Sequence, residues 1–155
     1  MLQVWAQTSL YYYGIFGKSA FSVGDTVTGV YEGVLSELSK SGFYCTKQKN
    51  TSPNQYVISI SEEYPVNLLS SKNEIGTIDT AKGVIVSICS ANEQSEISTI
   101  QGHINLPYQS PQPYEKTAKE KGKYRTLNHQ IAVEMLYVAE KVKELSVKQL
   151  NFSLY

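Results

Sequence analysis

Leu127, Ile131, Met135, Val138, Val142 and Leu145 follow one another at steps of four, four, three, four and three residues. That spacing places them along one side of a helix and predicts a long amphipathic helix over residues 126–150. Burying each of these side chains is worth roughly 1.5 to 3 kcal/mol before ordering entropy is subtracted. So wide an apolar stripe needs a second layer to cover it, and the rest of the chain has to supply that layer.

Residues 2–13 alternate: Leu2, Val4, Ala6, Thr8, Leu10 and Tyr12 against Gln3, Trp5, Gln7, Ser9, Tyr11 and Tyr13. Period two predicts a strand here, with Trp5, Tyr11 and Tyr13 on its second face. Ser22 and Asp25 offer a helix start, Val27, Val30, Tyr31, Val34, Leu35 and Leu38 continue at helical spacing, and Gly42 stands where a cap falls. Gly29 and Gly33, one turn apart, each cost such a helix about 1 kcal/mol relative to Ala and imply a close approach by another backbone. Strands are expected at 43–49 and 55–62 around a turn holding Asn50, Ser52, Pro53 and Asn54, with 65–74 an irregular connection. Gly83 to Ser90 is the most apolar strand and is expected at the sheet centre, followed by a strand over 96–105. Pro107, Pro111 and Pro113 end regular pairing, and a short helix is placed at 113–121 with Gly122 at its end.

The expected fold is therefore α+β in the order β-α-β-β-β-β-α. It has a single curved, mainly antiparallel sheet with helices mostly on one face. The 155 residues fit one domain, with 107–125 a Pro- and Lys-rich connection before the last helix.

Charged residues make up only 18% of the chain, and the formal net charge is zero, which argues against a protein that coats nucleic acid or membranes. No stretch approaches the length of a membrane span, and polar Gln3, Gln7, Thr8 and Ser9 interrupt any leader-like run. The expected location is the cytoplasm. Cys45 and Cys89 lie in apolar runs without Cys-x-x-Cys spacing and read as buried structural thiols. No cofactor or metal is implied. The aromatic second face of the first strand predicts a homodimer.

Known chemical signatures fail on inspection. Gly14 to Gly17 before Lys18-Ser19 is two residues too short for a phosphate-binding loop, which has to wrap several successive N–H groups around the phosphates. Lys18 is expected to be a solvated side chain whose replacement by Ala changes little. In "HINLPY", residues 103–108, Asn105 stands where a two-histidine phosphodiesterase carries a hydroxyl, and Tyr56 stands where the partner histidine belongs. His103 and His129 are the only candidate acid–base pair in the chain. No Gly-x-Ser-x-Gly elbow is present.

What remains is an asymmetry of charge. Residues 1–111 carry six Lys against nine acids, whereas 112–155 carry eight basic residues against five acids. Lys116, Lys119, Lys121, Lys123 and Arg125 crowd the approach to the long helix. Cations beside a helix start suit phosphate or carboxylate. Lys123, Arg125, Thr126, Asn128 and His129 are thus the expected anion contacts, with Tyr114 and Tyr124 available to stack on a base. The favoured expectation is a non-catalytic binding or interaction protein: an inhibitor, adaptor or sequestering module. Nucleotide or nucleic-acid binding through 114–129 is an alternative, and a small metal-independent phosphodiesterase built on His103 is another.

Overall fold

The computed structural model describes residues 1–16, 30–49, 56–61, 67–69, 85–87 and 103–152. The elements are α1 (Leu2–Tyr12), α2 (Glu32–Lys40), β1 (Tyr44–Lys47), β2 (Tyr56–Ser59), β3 (Asn67–Leu69), β4 (Ile85–Ser87), β5 (His103–Asn105) and α3 (Glu120–Phe152). A short 3-10 turn, Gln112–Tyr114, precedes α3. The fold is mixed α+β.

The expected first strand is a helix. Leu2, Gln3, Ala6, Gln7 and Leu10 are good helix formers, and no Gly or Pro interrupts them. The buried positions are Val4, Gln7 and Ser9; two of the three are polar, and Ser9 lies on the opposite side of the helix from Gln7, so no single apolar stripe shows the helical period. The chain then stops at Gly14, whose φ is 74°. Gly14 N–H bonds the Tyr11 carbonyl (2.9 Å) and Ile15 N–H the Leu10 carbonyl (2.8 Å), the paired closure of a Schellman turn. The glycine that invited comparison with a phosphate loop is a helix stop.

α2 ends in the same way. Gly42 has φ 94°, its N–H bonds the Ser39 carbonyl, and Phe43 N–H bonds the Leu38 carbonyl, both at 3.1 Å. A Cβ at Gly42 would meet nothing within 4 Å, so the need for glycine is a backbone need alone. Gly42→Ala is expected to lose on the order of 1 to 2 kcal/mol, read as a lower denaturant midpoint at unchanged slope, with Gly42→Asn losing less. The helix is shorter than its spacing predicts: Tyr31 is extended (φ −65°, ψ 139°) and Glu32 opens the first turn. The expected start at Ser22 and Asp25 lies outside the described residues.

β1, β2 and β3 form an antiparallel sheet in sequence order, with Tyr44 opposite Ser59 and Val57 opposite Leu68. β3 falls in the stretch expected to be irregular. β4 and β5 pair in parallel, Ile85 opposite His103, as a separate two-stranded sheet. Among the described residues the strands therefore make two sheets in place of a single curved one, and β4 is not a central strand. Among the described residues the element order is α-α-β-β-β-β-β-α.

The core joins α1, α2, β1 and β2: Val4, Leu38, Phe43 and Ile58 are buried, with Trp5, Val34 and Leu35 packed against them. Trp5 meets Phe43 edge-on at 5.0 Å. α1 and α2 both pack on α3. The inner face of α3 is Tyr124, Asn128, Ile131, Ala132, Met135 and Ala139, with Leu127, Val138 and Val142 half-buried beside it. The predicted stripe is thus present but centred one position away, and the Leu145 side chain lies outside the described residues.

Candidate functional site

α3 begins at Glu120, six residues before the expected start, and runs through Gly122. The expected short helix over 113–121 is instead the 3-10 turn followed by irregular chain. Thr117 and Glu120 explain the early start. Thr117 Oγ1 accepts the Lys119 N–H, and Glu120 Oε2 accepts the Lys116 N–H at 2.7 Å. These bonds close the approach to the helix, and an acidic residue suits its first turn. Lys116 takes a left-handed φ of 60° to make the bend.

The new start relocates the expected anion contacts. At 100° per residue, Lys123 and Arg125 project from opposite sides of α3. Lys123 turns toward the 3-10 segment, its Nζ 4.7 Å from the centre of the Tyr114 ring. Arg125, Thr126 and His129 are exposed together on the outward face, with Lys121 one turn before Arg125. Thr126 does not cap the helix; its hydroxyl donates back to the Gly122 carbonyl at 2.9 Å.

Tyr124 and Asn128 point inward. The Tyr124 ring is 2% exposed, lies against Gly33 of α2 and donates its hydroxyl to Glu115 Oε1 at 2.8 Å. Burial first, then that hydrogen bond and the charge of Glu115, holds its phenol well above the usual tyrosine range. Asn128 accepts from Trp5 Nε1 and donates to Ser41 Oγ, both at 2.8 Å, and Ser41 donates on to the Glu37 carbonyl. One side chain thereby ties all three helices. Neither residue presents a free edge to a ligand, so the stacking and donor roles expected of them are taken by internal contacts.

The segment leading into α3 straps along it in the opposite direction. Tyr108 donates to Glu134, Pro111 is buried, and Glu115 holds Tyr124. Burial and the Glu134 contact raise the Tyr108 phenol as well. Between α2 and α3 lies a shallow cleft of about 180 Å³ over Gly33 and Tyr124, edged by Glu32, Glu37, Glu120 and Lys121. Three carboxylates make it unsuited to an anion.

Among the described residues, no carboxylate makes an ion pair with Lys116, Lys119, Lys121, Lys123 or Arg125. Glu115 and Glu120, the two acids set between them, are engaged by a phenol and a backbone N–H. No cluster of His, Cys, Asp or Glu among the described residues could hold a metal ion. No helix among the described residues is long and apolar enough to cross a membrane. Cys45 is a half-buried free thiol beside the Leu35 carbonyl. Cys89 and Lys18 lie outside the described residues. His103 opens β5 opposite Ile85, but its side chain is outside the described set, so the expected meeting with His129 falls there too. No protein-family model, curated protein or solved structure matches this chain.

Proposed function

We propose that the chain is a non-catalytic binding protein that engages an anionic group through the outer face of the first turns of α3, with Arg125 as its anchor. The observation that carries this reading is that Arg125 is exposed and without an ion-pair partner among the described residues, while the nearest acids are held by other groups. Its guanidinium offers a planar fork to phosphate or carboxylate oxygens. Thr126 and His129 lie within one turn and extend the same surface. Lys123 and Tyr114 form a second cationic spot on the other flank.

Calorimetric titration with cyclic dinucleotides, short RNA and single-stranded DNA tests the proposal and separates small-nucleotide from nucleic-acid recognition. Arg125→Ala is expected to weaken binding by about 1.5 to 3 kcal/mol, and Arg125→Lys by less, since the charge stays and the fork goes. Rising salt should weaken a polyanion far more than a neutral protein partner. Equal affinities in wild type and both variants would reduce the basic segment to a solvated surface. Phosphodiester turnover abolished in His103→Ala would replace the binding reading with the hydrolytic one.

A further inference from the structure

We propose that the exposed face of the first turns of α3 docks into the major groove of double-stranded DNA, Arg125 reading a base edge while the lysines around the helix start meet phosphates. The inference rests on the reading of Arg125 as an anion anchor and names the polyanion.

Shape points to a groove. Arg125, Thr126, His129 and Val133 are all exposed and follow one another at steps of one, three and four residues, so they share one side of the helix over about 12 Å of its axis. Gly122 adds no side chain at its start, and the space around its Cβ position is open. This surface is a ridge and not a hollow, and the cleft beside it is edged by carboxylates. A helix with its side chains is about 10 to 12 Å across, and the major groove of B-form DNA is about 12 Å wide.

Cations surround the start of the ridge. Lys121 edges the cleft on the α2 side, and Lys116 and Lys119 belong to the strap that leads into the helix. All three are exposed, and none makes an ion pair among the described residues. The acids nearest them are occupied: Glu115 by Tyr124, Glu120 by the Lys116 N–H and Glu37 by Lys40. Glu32, exposed at the cleft, belongs to α2. A formal net charge of zero argues against coating long stretches of nucleic acid, whereas a patch at one helix end suits docking at one place.

The residue types on the ridge are those that read base pairs. An arginine fork fits guanine O6 and N7, and apolar groups such as those of Thr126 and Val133 suit the thymine methyl. Thr126 has given its hydroxyl proton to Gly122, and Gln130 has given its amide to Glu134 at 3.1 Å, so Arg125 and His129 carry the polar contacts. Other nucleic acids fit less well. Single strands bind on stacking platforms, but Tyr124 is buried and the Tyr114 ring already carries Lys123. Duplex RNA has a major groove too deep and narrow for side chains to read. Glu140 lies on the same side but about 10 Å beyond Val133, where a straight helix has left the curving groove.

Fluorescence anisotropy with a labelled, mixed-sequence DNA duplex of about 20 base pairs tests the docking. Its single strands, the RNA duplex of the same sequence and a cyclic dinucleotide are titrated beside it. The DNA duplex should bind most tightly, its log affinity falling against log salt with a slope of about −3 to −4. Lys119→Ala and Lys121→Ala should each reduce that slope by about one without changing sequence preference. Arg125→Ala should weaken the duplex about tenfold and, in selection from a randomised duplex pool, remove the preference at one base pair. Circular dichroism confirms that these exposed replacements leave the fold intact. A DNA duplex that fails to bind at low salt overturns the proposal. So do single strands, duplex RNA or the cyclic dinucleotide bound as tightly as duplex DNA; if Arg125→Ala still weakens those ligands, the anion-binding reading stands without the groove. Duplex binding that Arg125→Ala leaves unchanged overturns both readings.

Discussion

Asn128→Ala should destabilise the protein by about 2 to 4 kcal/mol, the largest single effect expected in this chain. The residue is 6% exposed, and each end of its amide is used: Oδ1 accepts from Trp5 on α1, and Nδ2 donates to Ser41 at the end of α2. Truncation leaves the indole N–H without an acceptor in a site water reaches poorly, and an unmet buried donor costs about 1 to 3 kcal/mol. It also frees the Ser41 hydroxyl and opens a small void. Asn128→Leu fills the void but still strands the indole, so it should recover only part of the loss. In the pair Trp5→Phe with Asn128→Leu, the stranded donor is gone as well. The double variant should therefore lose less than the sum of its singles, and denaturant titration of all four proteins measures that coupling. Strict additivity would mean that the indole–amide bond contributes nothing.

Gly33→Ala is expected to cost about 1 to 3 kcal/mol even though alanine favours helices. A Cβ there would lie 2.5 Å from two carbons of the Tyr124 ring and 2.8 Å from a third. The ring cannot swing aside cheaply, because it is buried and its hydroxyl is fastened to Glu115. α2 and α3 must then move apart or the ring must leave its rotamer. Tyr124→Leu alone removes the Glu115 bond and ring contacts, yet in its presence Gly33→Ala should become nearly neutral or mildly favourable. If thermal unfolding shows Gly33→Ala equal to wild type, the close approach of the two helices is looser than this geometry requires.

The sequence carried α3 and the core of α2 in plain form because apolar residues recur at helical spacing in both, even though Glu37 and Asn128 are also buried there. Gly33 of α2 also announced a close approach, although what fills the space there is a tyrosine ring and not a backbone. α1 was illegible for the opposite reason. Gln7 and Ser9 are buried on opposite sides of it, Tyr12 is exposed, and an apparent alternation over twelve residues resulted. The available signal was Gly14, a helix stop after a stretch free of Gly and Pro. The short strands, three or four residues each, offer too little pattern to fix register or sheet membership. Of the expected anion contacts, residue type was a good guide to Arg125 and a poor one to Asn128 and Tyr124. Which side of α3 each occupies depends on where the helix begins, and that was set by Thr117 and Glu120 outside the apolar stripe.

The hydrogen bond between Trp5 and Asn128 spans 123 positions of chain. A ribosome making this protein releases α1 long before Asn128 exists, so α1 can be fastened to α3 only late in synthesis. Pairings of such long range slow folding, because a large loop must be closed before its contacts reward the closure. At roughly 5 to 20 residues per second, synthesis alone leaves α1 waiting for about 6 to 25 seconds. During that interval an eleven-residue helix too short to persist unaided in water has Leu38, Phe43 and Ile58 to pack on but not α3. The indole that ends up bonded to Asn128 belongs to the chain's single tryptophan, so its fluorescence keeps time for that last closure.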